Sequence, residues 1–161
     1  MKPEPTPSQT VGPFFGFALP YPGDHRLVAP DSPGALRVEG QVLDGDGAPV
    51  PDALVEMWQG KLFGRCGTDA EGAFRFIVAK PRVGPGQAAH LNVTVFARGL
   101  LRHLATRMYF PDEPEANLAD PVLALVSDPD ARETLIARDD GGVLRFDIRL
   151  QGERETVFFA L

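Results

Sequence analysis

The chain has 161 residues, 43% of them hydrophobic, with a formal net charge of -6 and a single cysteine. That length suits one domain with a proper core, and an acidic chain with no run among its 16 basic residues carries no nucleic-acid footprint. Cys66 has no partner for an internal disulfide, and no segment has the roughly 18 to 20 apolar residues of a membrane helix or the apolar stretch of a secretory leader, so a cytoplasmic protein away from the membrane is expected.

Residues 1–35 are rich in proline and aromatics, as in Gly12-Pro13-Phe14-Phe15 and Leu19-Pro20-Tyr21-Pro22. They lack helical periodicity and read as an extended arm that lays Phe14, Phe15 and Phe17 on another surface, of this chain or of a second one. From Leu36 the pattern alternates. Leu36–Leu43, the turn Asp44-Gly45-Asp46-Gly47 and Ala53–Gln59 read as a hairpin or meander. Thr68–Gly72 is another turn, followed by a strand with Phe74, Phe76 and Val78 on one face. Lys80–Gln87, with two prolines and two glycines, is a loop. Strands are expected at His90–Arg98 and His103–Phe110, then at Glu133–Arg138 and Val143–Leu150 around Asp139-Asp140-Gly141-Gly142, and finally around Val157–Phe159. Only Glu113–Val126 has room for a helical turn or two, limited by Pro114 and Pro121. Short strands at regular spacing make an all-β chain, a β-sandwich over residues 36–161 behind an arm over residues 1–35.

Alternation puts His90, Asn92 and Thr94 on one face of their strand and Leu91, Val93 and Val95 on the other. A His-x-His pair there would clamp a metal, but the second position is Asn92, whose neutral amide is a poor ligand for a hard ferric ion. A lone sheet histidine is more often hydrogen-bonded than ligating. The two tyrosines and three histidines show no ligand spacing, so no metal site is expected in this chain. Cys66 has no histidine nearby in sequence to activate it, and no Gly-x-Ser-x-Gly elbow supports hydrolase chemistry. Arg98, at a strand end, is either a surface cation or the partner of an anionic ligand. Thr10-Val11-Gly12-Pro13 is either a plain turn or a place where glycine lets backbone approach a ligand or second chain.

Several segments carry a resemblance: Thr6–Phe14, Gly40-Gln41-Val42 with Asp44–Gly47, Val55–Gln59, Phe63-Gly64-Arg65, Ala89–Asn92, Phe96–Gly99, Thr106–Phe110, and Arg145–Glu153 with Glu155–Phe159. Together they resemble the intradiol ring-cleavage dioxygenases, and among them the α-type chains that pair with an iron-bearing homologue. The resemblance implies a transthyretin-like β-sandwich, a homologous β subunit holding Fe(III) on two tyrosinates and two histidines, and assembly into a hetero-oligomer. It implies cleavage of protocatechuate by O2 to 3-carboxy-cis,cis-muconate, a step of aromatic catabolism in the β-ketoadipate pathway. This chain resembles the partner without iron: Gln59–Ala89 contains no tyrosine, and His90 and Asn92 occupy the lost histidine positions. No catalytic residue is then expected in it. Thr10, Gly12, Pro13 and Arg98 match residues that shape the substrate entrance. The Gly60–Arg65 loop and the Tyr21–Ser32 stretch look shorter than in such chains.

Two rival readings remain at this stage. A stand-alone transthyretin-like scaffold would leave the arm's phenylalanines uncovered. A sandwich hydrolase would need clustered His and Arg and a reactive tail, and Thr156–Leu161 offers no catalytic group.

Overall fold

The computed structural model describes residues 4–160; Met1–Pro3 of the arm and Leu161 of the tail lie outside the described residues. Among the described residues, nine strands form two sheets. One sheet runs β4-β1-β8-β7, from β1 (Ala35–Leu43), β4 (Ala73–Ala79), β7 (Arg138–Asp140) and β8 (Val143–Arg145), with β9 (Ile148–Arg149) also pairing to β1. The other runs β3-β2-β5-β6, from β2 (Leu54–Gln59), β3 (Leu62–Gly67), β5 (His90–Phe96) and β6 (Leu104–Tyr109). It is antiparallel throughout.

The alternation read from the sequence decides which residues meet between the sheets. Val38 and Val42 of β1 and Phe74, Phe76 and Val78 of β4 pack in one core with Val55 and Met57 of β2, Leu91, Val93 and Val95 of β5 and Met108 of β6. Burying each of these side chains contributes about 1.5–3 kcal/mol. Gly40, in the middle of β1, is a packing requirement: a β-carbon there would run into the Phe146 carbonyl and the Phe74 ring. The fold is thus the all-β sandwich expected.

Some local expectations need correction. β1 and β2 are not a hairpin. The Asp44–Gly47 turn makes only a tight local return, Val50 N–H to Val42 O at 2.9 Å, before the chain crosses to the other sheet. β3 was not anticipated, because Phe63-Gly64-Arg65-Cys66-Gly67 breaks the apolar alternation with glycines. Glu133–Arg138 is no strand: Asp128 caps a short helix, Pro129–Glu133, by accepting from Asp130 N–H at 3.1 Å, and β7 begins only at Arg138. The Val143–Leu150 alternation holds, with Leu144, Phe146 and Ile148 buried, but the strand is split into β8 and β9 where the Asp147 carboxylate accepts from Gln41 N–H. Helical turns do fall within Glu113–Val126, at Pro114–Ala119 and Leu123–Leu125.

The arm is not simply extended. Phe15–Ala18 makes one helical turn, too short for any periodicity to reveal. Phe14 and Phe17 are about 70% exposed and touch each other edge to face, ring centroids 5.4 Å apart. Farther along, Arg65 N–H donates to Asp24 O, Leu27 N–H donates to Ile77 O, and Ile77 N–H donates to His25 O. This stretch therefore spans β3 and β4, one edge strand of each sheet. Such cover protects edges that would otherwise template aggregation.

Candidate functional site

The outer face of the β3-β2-β5-β6 sheet carries the residues of the incomplete clamp. Register places His90 opposite Tyr109, and Asn92 between Trp58 and Arg107. His90 is only 5% exposed. Its Nδ1 lies 2.9 Å from the Ala88 carbonyl, which can only accept, so Nδ1 carries the proton and Nε2 the lone pair. Burial lowers its pKa, and the nearby Arg107 adds to that. The ring is therefore a neutral imidazole at pH 7.

Tyr109 is fully buried, and its hydroxyl donates to Asp120 at 3.1 Å. Burial pushes its pKa to about 12, although a hydrogen bond from Arg107 opposes the shift. It is a phenol, not a tyrosinate. The Asp120 carboxylate also accepts from the backbone N–H of Ala88, Val122 and Leu123 at 2.9–3.1 Å. Burial disfavours its charge, but those backbone donors and the Tyr109 hydroxyl outweigh it and hold the carboxyl below its usual range.

These donors do not fit ferric iron. Fe(III) is best held by anionic oxygens beside imidazoles, whereas this face offers one neutral imidazole, a protonated phenol committed to Asp120, and the Asn92 amide, which makes only long contacts of 3.4–3.5 Å to Gln59 and to the Trp58 carbonyl. Among the described residues no three His, Cys, Asp or Glu side chains stand together as metal ligands.

A second group of residues singled out from the sequence lies at the other end of β5. Arg98 is exposed and ion-pairs through Nε with Asp52. The next residue, Gly99, donates its N–H to Thr10 Oγ1 at 2.8 Å, so the structure brings Thr10 and Arg98 together. Gly12 and Pro13 are exposed just beyond. β5 ends at Phe96 and Arg98 stands in the turn beyond it, so the length of the strand, on the order of 20 Å, separates it from His90. The incomplete clamp and the arm-side cation are thus separate places on one sheet.

Sequence reasoning missed Asp52, which orients Arg98, and the Glu56–Arg65 ion pair at 2.7 Å. Asp52 and Arg98 lie 46 positions apart, whereas the second pair was findable: a tight turn at Gly60-Lys61 puts Glu56 opposite Arg65. Among the described residues no helix is long and apolar enough to cross a membrane.

No family model matches the chain, but individual proteins do. It is 41% identical to the protocatechuate 3,4-dioxygenase alpha chain of Pseudomonas putida, over 96% of this chain and 95% of that one. That alignment runs over 191 positions against the 161 residues here, so this chain has internal deletions relative to it. It is 32% identical to the protocatechuate 3,4-dioxygenase beta chain of Burkholderia cepacia, over 75% of this chain and 66% of that one. Among solved structures, the dioxygenase domain of a dioxygenase carbohydrate-binding fusion protein from Streptomyces sp. SirexAA-E superposes with a TM-score of 0.60 at 27% identity, covering 93% of this chain and 100% of that one. The chain belongs to the intradiol ring-cleavage dioxygenases, in the group of the protocatechuate 3,4-dioxygenase alpha chains.

Proposed function

We propose that this chain is the subunit without iron of a protocatechuate 3,4-dioxygenase, working with a homologous β subunit that holds Fe(III). The observation that carries the reading is Asn92 in the second position of the strand clamp, beside His90 and a Tyr109 hydroxyl that burial keeps protonated and that donates to Asp120. The relatedness to both an alpha and a beta chain supports an αβ unit. In this reading the arm over residues 1–35 contributes to the interface and the sandwich over residues 36–161 carries it. Phe14 and Phe17, exposed in the chain alone, count against a stand-alone scaffold.

The chain's own contribution is binding and orientation. Thr10, Gly12 and Pro13 line the entrance, and Arg98 meets the aromatic carboxylate. Asp52 holds the Arg98 guanidinium by one edge, leaving donors for a second carboxylate. A cation at the entrance raises the local concentration of an anionic substrate.

The test is to purify the chain alone and together with its β-type partner, and to measure iron content and conversion of protocatechuate. The expected result is no stoichiometric iron and no ring cleavage for the chain alone, with both present in the complex. Stoichiometric iron in the isolated chain, with a visible band that Tyr109→Phe removes, would overturn the assignment.

A further inference from the structure

Between Thr10 and Leu19 the arm is a strap fastened at its two ends. Thr10 Oγ1 holds one end at Gly99, and at the other the Leu19 carbonyl accepts from Arg65 Nη1 at 3.1 Å. Every hydrogen bond between these points, among the described residues, stays inside the strap: Phe15 N–H to Gly12 O at 3.2 Å, Phe17 N–H to Phe14 O at 3.3 Å and Ala18 N–H to Phe14 O at 2.8 Å. The strap from Gly12 to Ala18 is thus one hydrogen-bonded unit, joined to the Leu19 anchor by the chain itself.

The Leu19 end is fastened by a built arrangement. Arg65 is largely buried, with a side chain 19% exposed, and its Nη2 donates to Glu56, itself 17% exposed, at 2.7 Å. The guanidinium stacks over the Phe63 ring, 5.2 Å from the centroid. Its Nε is buried and has no hydrogen-bond partner among the described residues. The backbone beside it is equally tight, for a β-carbon on Gly64 would meet Leu27 Cδ1 at 2.5 Å and Asp24 O at 2.9 Å. Burying a guanidinium with one nitrogen unpaired costs stability, so surface decoration does not account for it. A planar fork fixes the angle between a carboxylate and a carbonyl while stacking on an aromatic ring, a geometry that the rotatable ammonium of a lysine reproduces only in part.

We propose that Arg65, oriented by Glu56, is a positioning residue: it fixes the Leu19 end of the strap and thereby sets where Thr10, Gly12 and Pro13 stand at the substrate entrance. This rests on the reading of the function given above. Arg65 touches no substrate in this scheme and acts only through the strap.

The test uses the complex with the β-type partner, carrying Arg65→Gln, Arg65→Lys or Glu56→Gln. Amide hydrogen exchange over residues 10–19 is followed together with KM and kcat for protocatechuate. The expected result for Arg65→Gln is faster exchange confined to the strap, with KM raised about three- to tenfold, the factor carried by one lost hydrogen bond, and kcat within about twofold. Arg65→Lys and Glu56→Gln should fall between it and the wild type. Unchanged strap exchange in Arg65→Gln would overturn the proposal, as would exchange rising throughout β2 and β3 with KM unaltered in all three variants. If the wild-type complex cleaves no protocatechuate, the functional reading falls by itself, and strap exchange in the full chain still decides whether Arg65 fastens the strap at Leu19.

Discussion

Asp120 and the strap treat hydrogen bonding in opposite ways. At Asp120 one carboxylate collects three backbone N–H groups and a phenol, and the side chains around it are buried. The strap has ten residues held at two points, with two phenylalanines turned outward. The first arrangement locks the loop before β5, β6 and the Leu123–Leu125 turn into one body. The second leaves a surface whose contacts are completed by something else. A permanent junction satisfies its polar atoms internally, whereas a recognition surface keeps some in reserve.

The largest effect expected from breaking this contrast is at Asp120. Asp120→Ala would leave four donors unpaired, three of them buried, and should destabilise the chain by about 3–5 kcal/mol, read from denaturant unfolding. A change under 1 kcal/mol would mean that water or rearrangement serves those donors. The pH dependence has a definite sign. Because the folded carboxyl titrates below its usual range, its contribution is complete above an ordinary carboxylate pKa near 4 and is lost as pH falls through the folded value.

Next is Tyr109→Phe, which removes one of the four donors and should cost about 1 kcal/mol near neutrality. In alkali the sign reverses relative to Asp120. The folded phenol titrates near 12 against about 10 when unfolded, so wild-type stability should decline between those two values. The variant should lack that decline in pH-dependent melting; if both chains lose stability in parallel, another group is responsible.

A smaller effect is expected at Arg98, because its side chain is 69% exposed and already paired with Asp52. Arg98→Ala in the complex should raise KM for protocatechuate by roughly 0.5–1 kcal/mol equivalent, with kcat little altered. Catechol, which lacks the carboxylate, should be indifferent. Equal losses for both substrates would make Arg98 a structural residue tied to Asp52.

The smallest effect on stability is expected at Thr10→Ala, which unfastens the exposed end of the strap from Gly99. Unfolding should shift by no more than about 0.5 kcal/mol, while association with the partner weakens. A loss of several kcal/mol would show that the strap is part of the core and erase the contrast with Asp120.

Much of this architecture was legible in the chain because alternation is local. Phe74-Arg75-Phe76-Ile77-Val78 and Leu91-Asn92-Val93-Thr94-Val95 state their buried faces outright, and Asn92 in place of a second histidine is visible without coordinates. Arg98 was legible as a strand-end cation, but not its pairing with Asp52, 46 positions away.

The amino-acid sequence by itself determined the all-β class, the inward faces of the main strands and the placing of His90 and Asn92 on one outward face, since each depends on residue type at a spacing of two. Only the tertiary structure decided that β1 and β2 belong to different sheets, that Asp120 gathers Tyr109 and three backbone donors, and that Arg65 fastens the strap at Leu19. Those outcomes depend on which distant segments come into register, and neither periodicity nor composition encodes that register locally.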